Sequence, residues 1–232
     1  MKIALLGYGK MGKTIEAIAV AGGHQIVFIK SHNESFDGLD TADVAIDFSV
    51  PTAAADNIRA CLDRNVAVVS GTTGWLHDYE SVAEHCRLQN GAFLYASNFS
   101  LGVNIFFEVN AHLARIMSRF SQYKIGIEEI HHTQKLDAPS GTAITLANTI
   151  ITNSDYNAWT LEPPTAHEIR IDAQRIENVP GTHVVQYDSD VDSIAIKHTA
   201  HNRDGFAKGA VLAAEWLQGR NGIYTMKDVL GL

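Results

Sequence analysis

Short apolar runs and helix-patterned stretches alternate through the first hundred residues. Lys2–Leu6 is almost wholly apolar, residues 24–30 are rich in β-branched and aromatic side chains, and residues 43–48, 66–70 and 93–96 repeat the pattern. Such runs predict strands buried on both faces, as in a parallel sheet. Helix-like segments lie between them. Lys10–Ala21 is stopped by Gly22-Gly23, residues 51 to about 64 begin with Pro51, and a third spans residues 77–89. Proline at the first helical position costs little, because its missing N–H would have no partner there. The loop 31–41 is too short and polar for a full crossover helix. The order β-α-β-loop-β-α-β-α-β predicts an α/β fold with a doubly wound parallel sheet.

The pattern changes after Asn98. Residues 101–120 form a long amphipathic helical pattern, residues 123–131 alternate like a strand, and residues 140–152 read as a helix with Ser140 as its N-cap. Strand-like runs follow near 167–177, 182–188 and Ser193–Ala200, separated by the turn signals Val179-Pro180-Gly181 and Asp188-Ser189-Asp190. This region predicts an α+β arrangement, a mixed sheet backed by helices. A strong helix over 205–218 and a short piece at Met226–Leu230 end the chain, and no internal repeat is visible.

Composition narrows the function classes. With 46% hydrophobic and 19% charged residues, the chain has the make-up of a soluble globular protein. Its net charge of −8 argues against a general nucleic-acid binder. Nothing approaches the roughly 18 apolar residues of a membrane span, and the apolar start is too short for a signal peptide, so the expected location is the cytoplasm. Cys61 and Cys86 sit among apolar neighbours and are expected to be small buried hydrophobes.

Two motifs carry chemistry. Gly7, Tyr8, Gly9, Lys10, Met11 and Gly12 form G-x-G-x-x-G between a strand and a helix. There the first glycine permits the tight turn, the second lets backbone approach a pyrophosphate, and the third lets helix and strand pack closely. The free N–H groups of the helix start suit phosphates. An ordinary strand–helix turn using glycine is the alternative. The acidic residue that usually binds the ribose after the second strand is missing, and the first acid is Glu34. Lys30 and His32 suit a 2′-phosphate, which leans toward NADP or dual use; solvated loop residues are the other reading.

The second motif runs from Glu128 to Ala143, with His131, His132, Lys135 and a Pro139-Ser140-Gly141-Thr142 turn. A histidine or lysine can give a proton as charge develops on a substrate. The hydroxyls and N–H groups of Ser140, Gly141 and Thr142 at a helix start suit a carboxylate. The two histidines end a strand and should point to opposite faces. The alternative is one core histidine, one exposed histidine and a capped helix. No metal is expected, since no HExxH, CxxC or third nearby ligand accompanies the pair.

The stretch Glu129-Ile130-His131-His132-x-x-Lys135-x-Asp137-Ala138-Pro139-Ser140-Gly141-Thr142-Ala143 resembles the signature loop of the dihydrodipicolinate (4-hydroxy-tetrahydrodipicolinate) reductases of lysine and diaminopimelate biosynthesis. Asp47-Phe48-Ser49-Val50-Pro51, Gly71-Thr72-Thr73-Gly74, residues 96–104, residues 202–216 and Met226–Leu230 resemble further segments of that family, so the likeness covers most of the chain. It implies a Rossmann-like dinucleotide-binding domain (residues 1–99 and 202–232) and an inserted domain (residues 100–201) for substrate and homotetramer assembly. It implies His131 as proton donor and Lys135 as a second one, with His132, Ser140, Gly141 and Thr142 at the substrate. NADPH or NADH would lie on Gly7 to Gly12, on Gly71, Thr72 and Thr73, and on Ala96, Ser97, Asn98 and Phe99. The substrate would be a small dicarboxylate. The segment between Gly181 and Ala200 is expected to be trimmed relative to the family. Competing readings are another nicotinamide-dependent amino-acid or polyol dehydrogenase, and a nucleotide sensor without turnover.

Overall fold

The computed structural model describes residues 1–31, 34–202 and 204–232. The chain divides into two compact units, Met1–Leu101 with Asp204–Leu232, and Gly102–Arg203.

The first unit is built on strands β1 (Lys2–Leu6), β2 (Gln25–Lys30), β3 (Val44–Asp47), β4 (Ala67–Ser70) and β5 (Ala92–Tyr95), with helices α1 (Lys10–Ala21), α2 (Pro51–Leu62) and α3 (Tyr79–Leu88) between them. From the end of the chain it takes α6 (Asp204–Leu217), β11 (Gly222–Tyr224) and α7 (Met226–Leu230). The sheet order is β11-β5-β4-β3-β1-β2, and every pairing is parallel. Alternation along the strands explains why both faces are covered. Ile3, Leu5, Val44 and Ile46 pack with α1 and α6, while Ala4, Leu6, Ala45 and Val68 pack with α2 and α3. Each face buries an apolar layer, which is why these strands read as continuous hydrophobic runs. Cys61 and Cys86 are free and buried in the second of these layers, and burial pushes the Cys61 thiol well up from its ordinary pKa.

The second unit holds α4 (Leu101–Met117), which starts at the boundary residue, β6 (Lys124–His131), α5 (Gly141–Thr152), β7 (Ala158–Thr160), β8 (Glu168–Arg175), β9 (Gly181–Asp188) and β10 (Ser193–Ala200). Its sheet order is β10-β9-β6-β8-β7, antiparallel through β10, β9 and β6 and parallel through β6, β8 and β7. One face is apolar: Ile127, Ile169, Ile171, Val185 and Tyr187 pack with Phe106 and Met117 of α4 and with Leu146 and Ile150 of α5. The other face is polar, with Glu128, Arg170, Asp172, Gln186 and Asp188 around a shallow depression of about 230 Å³. β9 and β10 pair without a break from Gly181↔Ala200 to Asp188↔Ser193.

The pattern missed β7 and β11, which have three residues each. Elements that short hold no period of their own and exist because a sheet edge supplies their hydrogen bonds. Among the described residues no helix is long and apolar enough to cross a membrane.

Candidate active site

In the first unit, three of the segments singled out in the sequence meet around Phe48, one residue past β3. Gly7 has φ +92°, and a Cβ there would lie 2.3 Å from the Phe48 carbonyl oxygen. A Cβ on Gly71 would lie 2.3 Å from the Phe48 ring, and the ring stacks at a tilt on Phe99 with centroids 5.7 Å apart. The third fingerprint glycine, Gly12, has the Gly7 carbonyl 2.2 Å from where its Cβ would be, so strand and helix touch at backbone level. Gly9 is different. Nothing lies within 4 Å of its missing Cβ, and it precedes α1 with no side chain capping the helix. A helix start with unclaimed N–H groups beside an open backbone matches what a pyrophosphate needs.

That opening belongs to a cavity of about 660 Å³ lined by Gly7 to Gly9, Lys30, Ser31, Phe36, Phe48 to Val50 and the start of α2. Tyr8 and Met11 are half-buried, and Lys10 is exposed. The Tyr8 hydroxyl donates to Glu16, which raises its pKa. At the far end, the Lys30 ammonium lies 4.8 Å from the Phe36 ring centroid, and the Arg64 guanidinium lies 5.6 Å from the same ring. Glu34, the first acid after β2, accepts from the Ser31 N–H at 2.6 Å. His32 lies outside the described residues, as does Arg203. The residues present therefore fit a dinucleotide, and the end where a ribose would be read is cationic and aromatic.

The remaining candidates for the cofactor divide by side chain. Thr73 and Ser97 are exposed, and Ala96 and Asn98 are half-buried. Thr72 and Phe99 are buried, and the Thr72 hydroxyl is used internally by Asp47 and by the Ser49 N–H. Any contribution of these two to a ligand runs through backbone or through packing.

In the second unit, Glu129 is the centre of the signature loop. It is fully buried, and both oxygens are engaged. Oε1 accepts from Arg175 Nη2 at 3.1 Å, and Oε2 accepts from the Ser140 N–H at 3.1 Å. His131 Nδ1 lies 3.3 Å and His183 Nε2 3.8 Å from Oε2. Strand register explains the gathering: β9 sets His183 directly opposite Glu129, β8 sets Arg175 opposite His131, and Glu129 and His131 are two apart on β6. Burial pushes the Glu129 carboxyl up, but its contacts with His131, Ser140 and Arg175 outweigh that and hold it at about 2. Burial and the nearby His131 push His183 down to about 4, so it is neutral at pH 7.

Arg175 also fixes the loop itself, donating to the carbonyls of Lys135, Asp137 and Gln174. Lys135 Nζ donates to both Asp137 oxygens, at 2.8 and 2.9 Å, which lowers the Asp137 pKa. The bond between Ala138 and Pro139 is cis. Ser140 caps α5 by accepting from the Ala143 N–H at 3.2 Å, and its Oγ lies 3.1 Å from His183 Nε2. Its side chain is thus occupied inside the protein, while Gly141 is exposed and Thr142 half-buried at the head of the helix. His131 is buried and His132 half-buried. Gly181 leaves the His131 imidazole its room, since a Cβ there would lie 3.1 Å from Nε2.

Glu129, His131 and His183 bring ligand-type atoms within 4.8 Å of one another. The carboxylate is already matched by a guanidinium and an N–H, and a divalent ion would have to share it with Arg175. The cluster therefore reads as an ion-pair and proton-handling group. The signature stretch contains His131 and Glu129 on one strand, but Arg175 and His183 joined them only through cross-strand pairing.

Both halves of the chain match models of one family, "Dihydrodipicolinate reductase, N-terminus" over residues 1–99 and "Dihydrodipicolinate reductase, C-terminus" over residues 102–230. The chain belongs to the dihydrodipicolinate reductase family. Among its relatives, the 4-hydroxy-tetrahydrodipicolinate reductase of Christiangramia forsetii is 57% identical, with 99% of this chain and 98% of that protein covered. The enzyme of the same name from Methanosarcina mazei is 37% identical, covering 99% and 89%. A dipicolinate-bound dihydrodipicolinate reductase from Paenisporosarcina sp. TG-14 shares the fold, with TM-score 0.76, 20% identity and 97% of each chain covered. Within this family, the two motifs read from the residues fall one in each matched half: the glycine fingerprint in the first and the His131–Thr142 loop in the second.

Proposed function

We infer that the protein reduces 4-hydroxy-tetrahydrodipicolinate (dihydrodipicolinate) to tetrahydrodipicolinate with NADH or NADPH, a step of diaminopimelate and lysine biosynthesis. The observation that carries this is the full-length 57% identity to a reductase of that name, joined to an intact His131–Lys135–Thr142 loop. The competing sensor reading gives no reason for that loop to be tied down by a buried carboxylate and an arginine.

When bound, the reduced nicotinamide supplies hydride to ring carbon C4 of the conjugated imine. The protein's own part is a proton for the neighbouring carbon and a hold on two carboxylates. We assign the proton to His131. Glu129, ionised at neutral pH, lies 3.3 Å from Nδ1 and pairs with the imidazolium through that nitrogen, which leaves the Nε2–H of the imidazolium as the proton that is delivered. Gly181 keeps space beside Nε2. Lys135 exchanges Asp137 for a substrate carboxylate, and the N–H groups of Gly141 and Thr142 with the Thr142 hydroxyl take the same or the other carboxylate at the head of α5. His132 completes the substrate side. Gly7 to Gly12, residues 71–73 and residues 96–99 hold the nucleotide.

Two finer assignments belong to the same reading. Lys30 faces the coenzyme's 2′-phosphate, so NADPH is accepted at least as well as NADH. The polar face of the second sheet, where Ser193, Ala195, Lys197 and Thr199 are exposed, is where copies assemble into a tetramer; light scattering on the eluting protein checks this, and a monomer would refute it. The central test is His131→Gln. It should lower kcat by about 10²-fold or more, the scale of a lost general acid, with nucleotide Kd unchanged. Lost nucleotide binding, or unchanged kcat, would refute the assignment.

A further inference from the structure

Beneath the nucleotide cavity lies a buried carboxylate that the reaction does not use. Asp47, the last residue of β3, is fully buried, and the groups it bonds are all neutral. Its Oδ1 accepts from Asn57 Nδ2 at 3.0 Å. Its Oδ2 accepts from Ser70 Oγ and Thr72 Oγ1, each at 2.8 Å. Burial raises its pKa, and the donors around it pull in the opposite direction. A buried carboxyl with no cationic partner is a costly way to fill a core, because its desolvation opposes folding.

Its directionality supplies the reason. Both Asp47 oxygens act as acceptors, and the Thr72 hydroxyl gives its proton to Oδ2. That leaves a lone pair on Thr72 Oγ1 for the Ser49 N–H, 2.9 Å away. Asn57, oriented by the same carboxylate, also donates to Ser49 Oγ at 3.1 Å. Ser49 is thus held at its backbone and at its side chain by two groups that Asp47 orients. Ser49 and Asn57 line the cavity, and Thr72 belongs to the turn that follows β4.

We propose that Asp47 is a positioning residue for nucleotide binding: it fixes the proton directions of Asn57, Ser70 and Thr72 and so locks the 48–50 and 71–73 turns into one preformed cradle. This rests on the reading that the first unit binds a nicotinamide nucleotide. An asparagine at this site has the same shape but brings donors. Placed at Oδ1, its NH₂ faces the Asn57 NH₂; placed at Oδ2, it turns the Ser70 and Thr72 hydroxyls around. Either way the lock on Ser49 loosens.

The test is calorimetric titration of full-length protein with NADPH and, separately, with pyridine-2,6-dicarboxylate. For Asp47→Asn the nucleotide Kd should rise by about tenfold or more, while the dicarboxylate Kd stays within about twofold of wild type. In turnover, the KM for nucleotide should rise with kcat at saturating nucleotide nearly unchanged. Thr72→Val should reproduce the loss and Thr72→Ser should restore it, a rescue that a merely space-filling role would not give. Should Asp47→Asn fail to fold, this threonine pair decides the matter alone. Unchanged nucleotide affinity in folded Asp47→Asn, or equal affinities in the two threonine variants, overturns the proposal. Wild-type protein that binds no nucleotide would instead refute the functional reading beneath it.

Discussion

Replacing Glu129 by glutamine probes the arrangement of the signature loop with almost no change in shape. Both oxygens of Glu129 face donors: Arg175 Nη2 at 3.1 Å on one side, and the Ser140 N–H at 3.1 Å with His131 Nδ1 at 3.3 Å on the other. A glutamine NH₂ therefore meets a donor in either rotamer. The charge is lost as well, and Arg175 keeps only carbonyl partners. Removing one member of a buried pair costs about 3–5 kcal/mol. The three carbonyls that still hold Arg175 place this case at the lower end, about 3 kcal/mol. For a chain of this size that is a fall in Tm of roughly 6–12 °C. The kinetic effect is separate. Without the carboxylate at Nδ1, nothing fixes which nitrogen of His131 delivers the proton, and the Ser140 N–H that anchors the head of α5 loses an acceptor. Loss of a group that orients a catalytic imidazole is expected to lower kcat by about 10–100-fold, by analogy with the cost of removing outer partners of a ligating histidine. Nucleotide Kd should stay put, because Glu129 belongs to the other unit. The assay is the disappearance of reduced-nicotinamide absorbance at saturating substrate, with circular dichroism confirming the fold. A folded Glu129→Gln protein with kcat within about twofold of wild type would refute the claim that this carboxylate positions His131.

Three further outcomes follow from the same geometry. Gly181→Ala places a Cβ about 3.1 Å from His131 Nε2 at a buried position with φ +159° and should depress kcat as well as lower Tm; equal kcat in folded protein would show that Nε2 is not the delivering atom. Thr142→Val should chiefly raise the KM for the dicarboxylate, and an unchanged KM would put that carboxylate elsewhere. His183 is depressed to about 4 in the folded protein from an ordinary value of 6.5. The unfolded chain then binds the extra proton first, so stability falls as pH drops from about 6.5 to 4 by up to a few kcal/mol. His183→Gln should flatten that part of the urea-stability profile, and an unaltered slope would count against the burial of a neutral imidazole.

How far the chain could be read without coordinates depended on the range of each interaction. β1, the glycine turn and α1 are local, and the pattern placed them at Lys2–Leu6 and Lys10–Ala21, as observed. Gly7 needed a positive φ for the tight turn, and the fingerprint announced that; its close approach to the Phe48 carbonyl was not legible in the motif. Strand order in the second sheet was not legible, because whether β8 runs parallel to β6 is decided by crossover geometry that no short window contains. The same holds for the site. His131, Lys135 and Ser140 stood together in one loop, but Arg175 and His183 lie 46 and 54 positions from Glu129 and reach it only through β6 register with β8 and β9. Asp47 was visible only as part of a family-like segment; its hydroxyl donors come from the end of β4 and the turn beyond it.

The most direct measurement supplies the substrate in situ, from pyruvate and aspartate semialdehyde through the preceding synthase, and follows oxidation of NADH and NADPH in parallel. Rapid oxidation that requires the synthase, with NADPH used at least as well as NADH, is expected from the loop in the second unit and from Lys30 at the end of the cavity. Absence of synthase-dependent oxidation in protein that still binds nucleotide would contradict the reductase assignment and return the weight to a different substrate or a sensor.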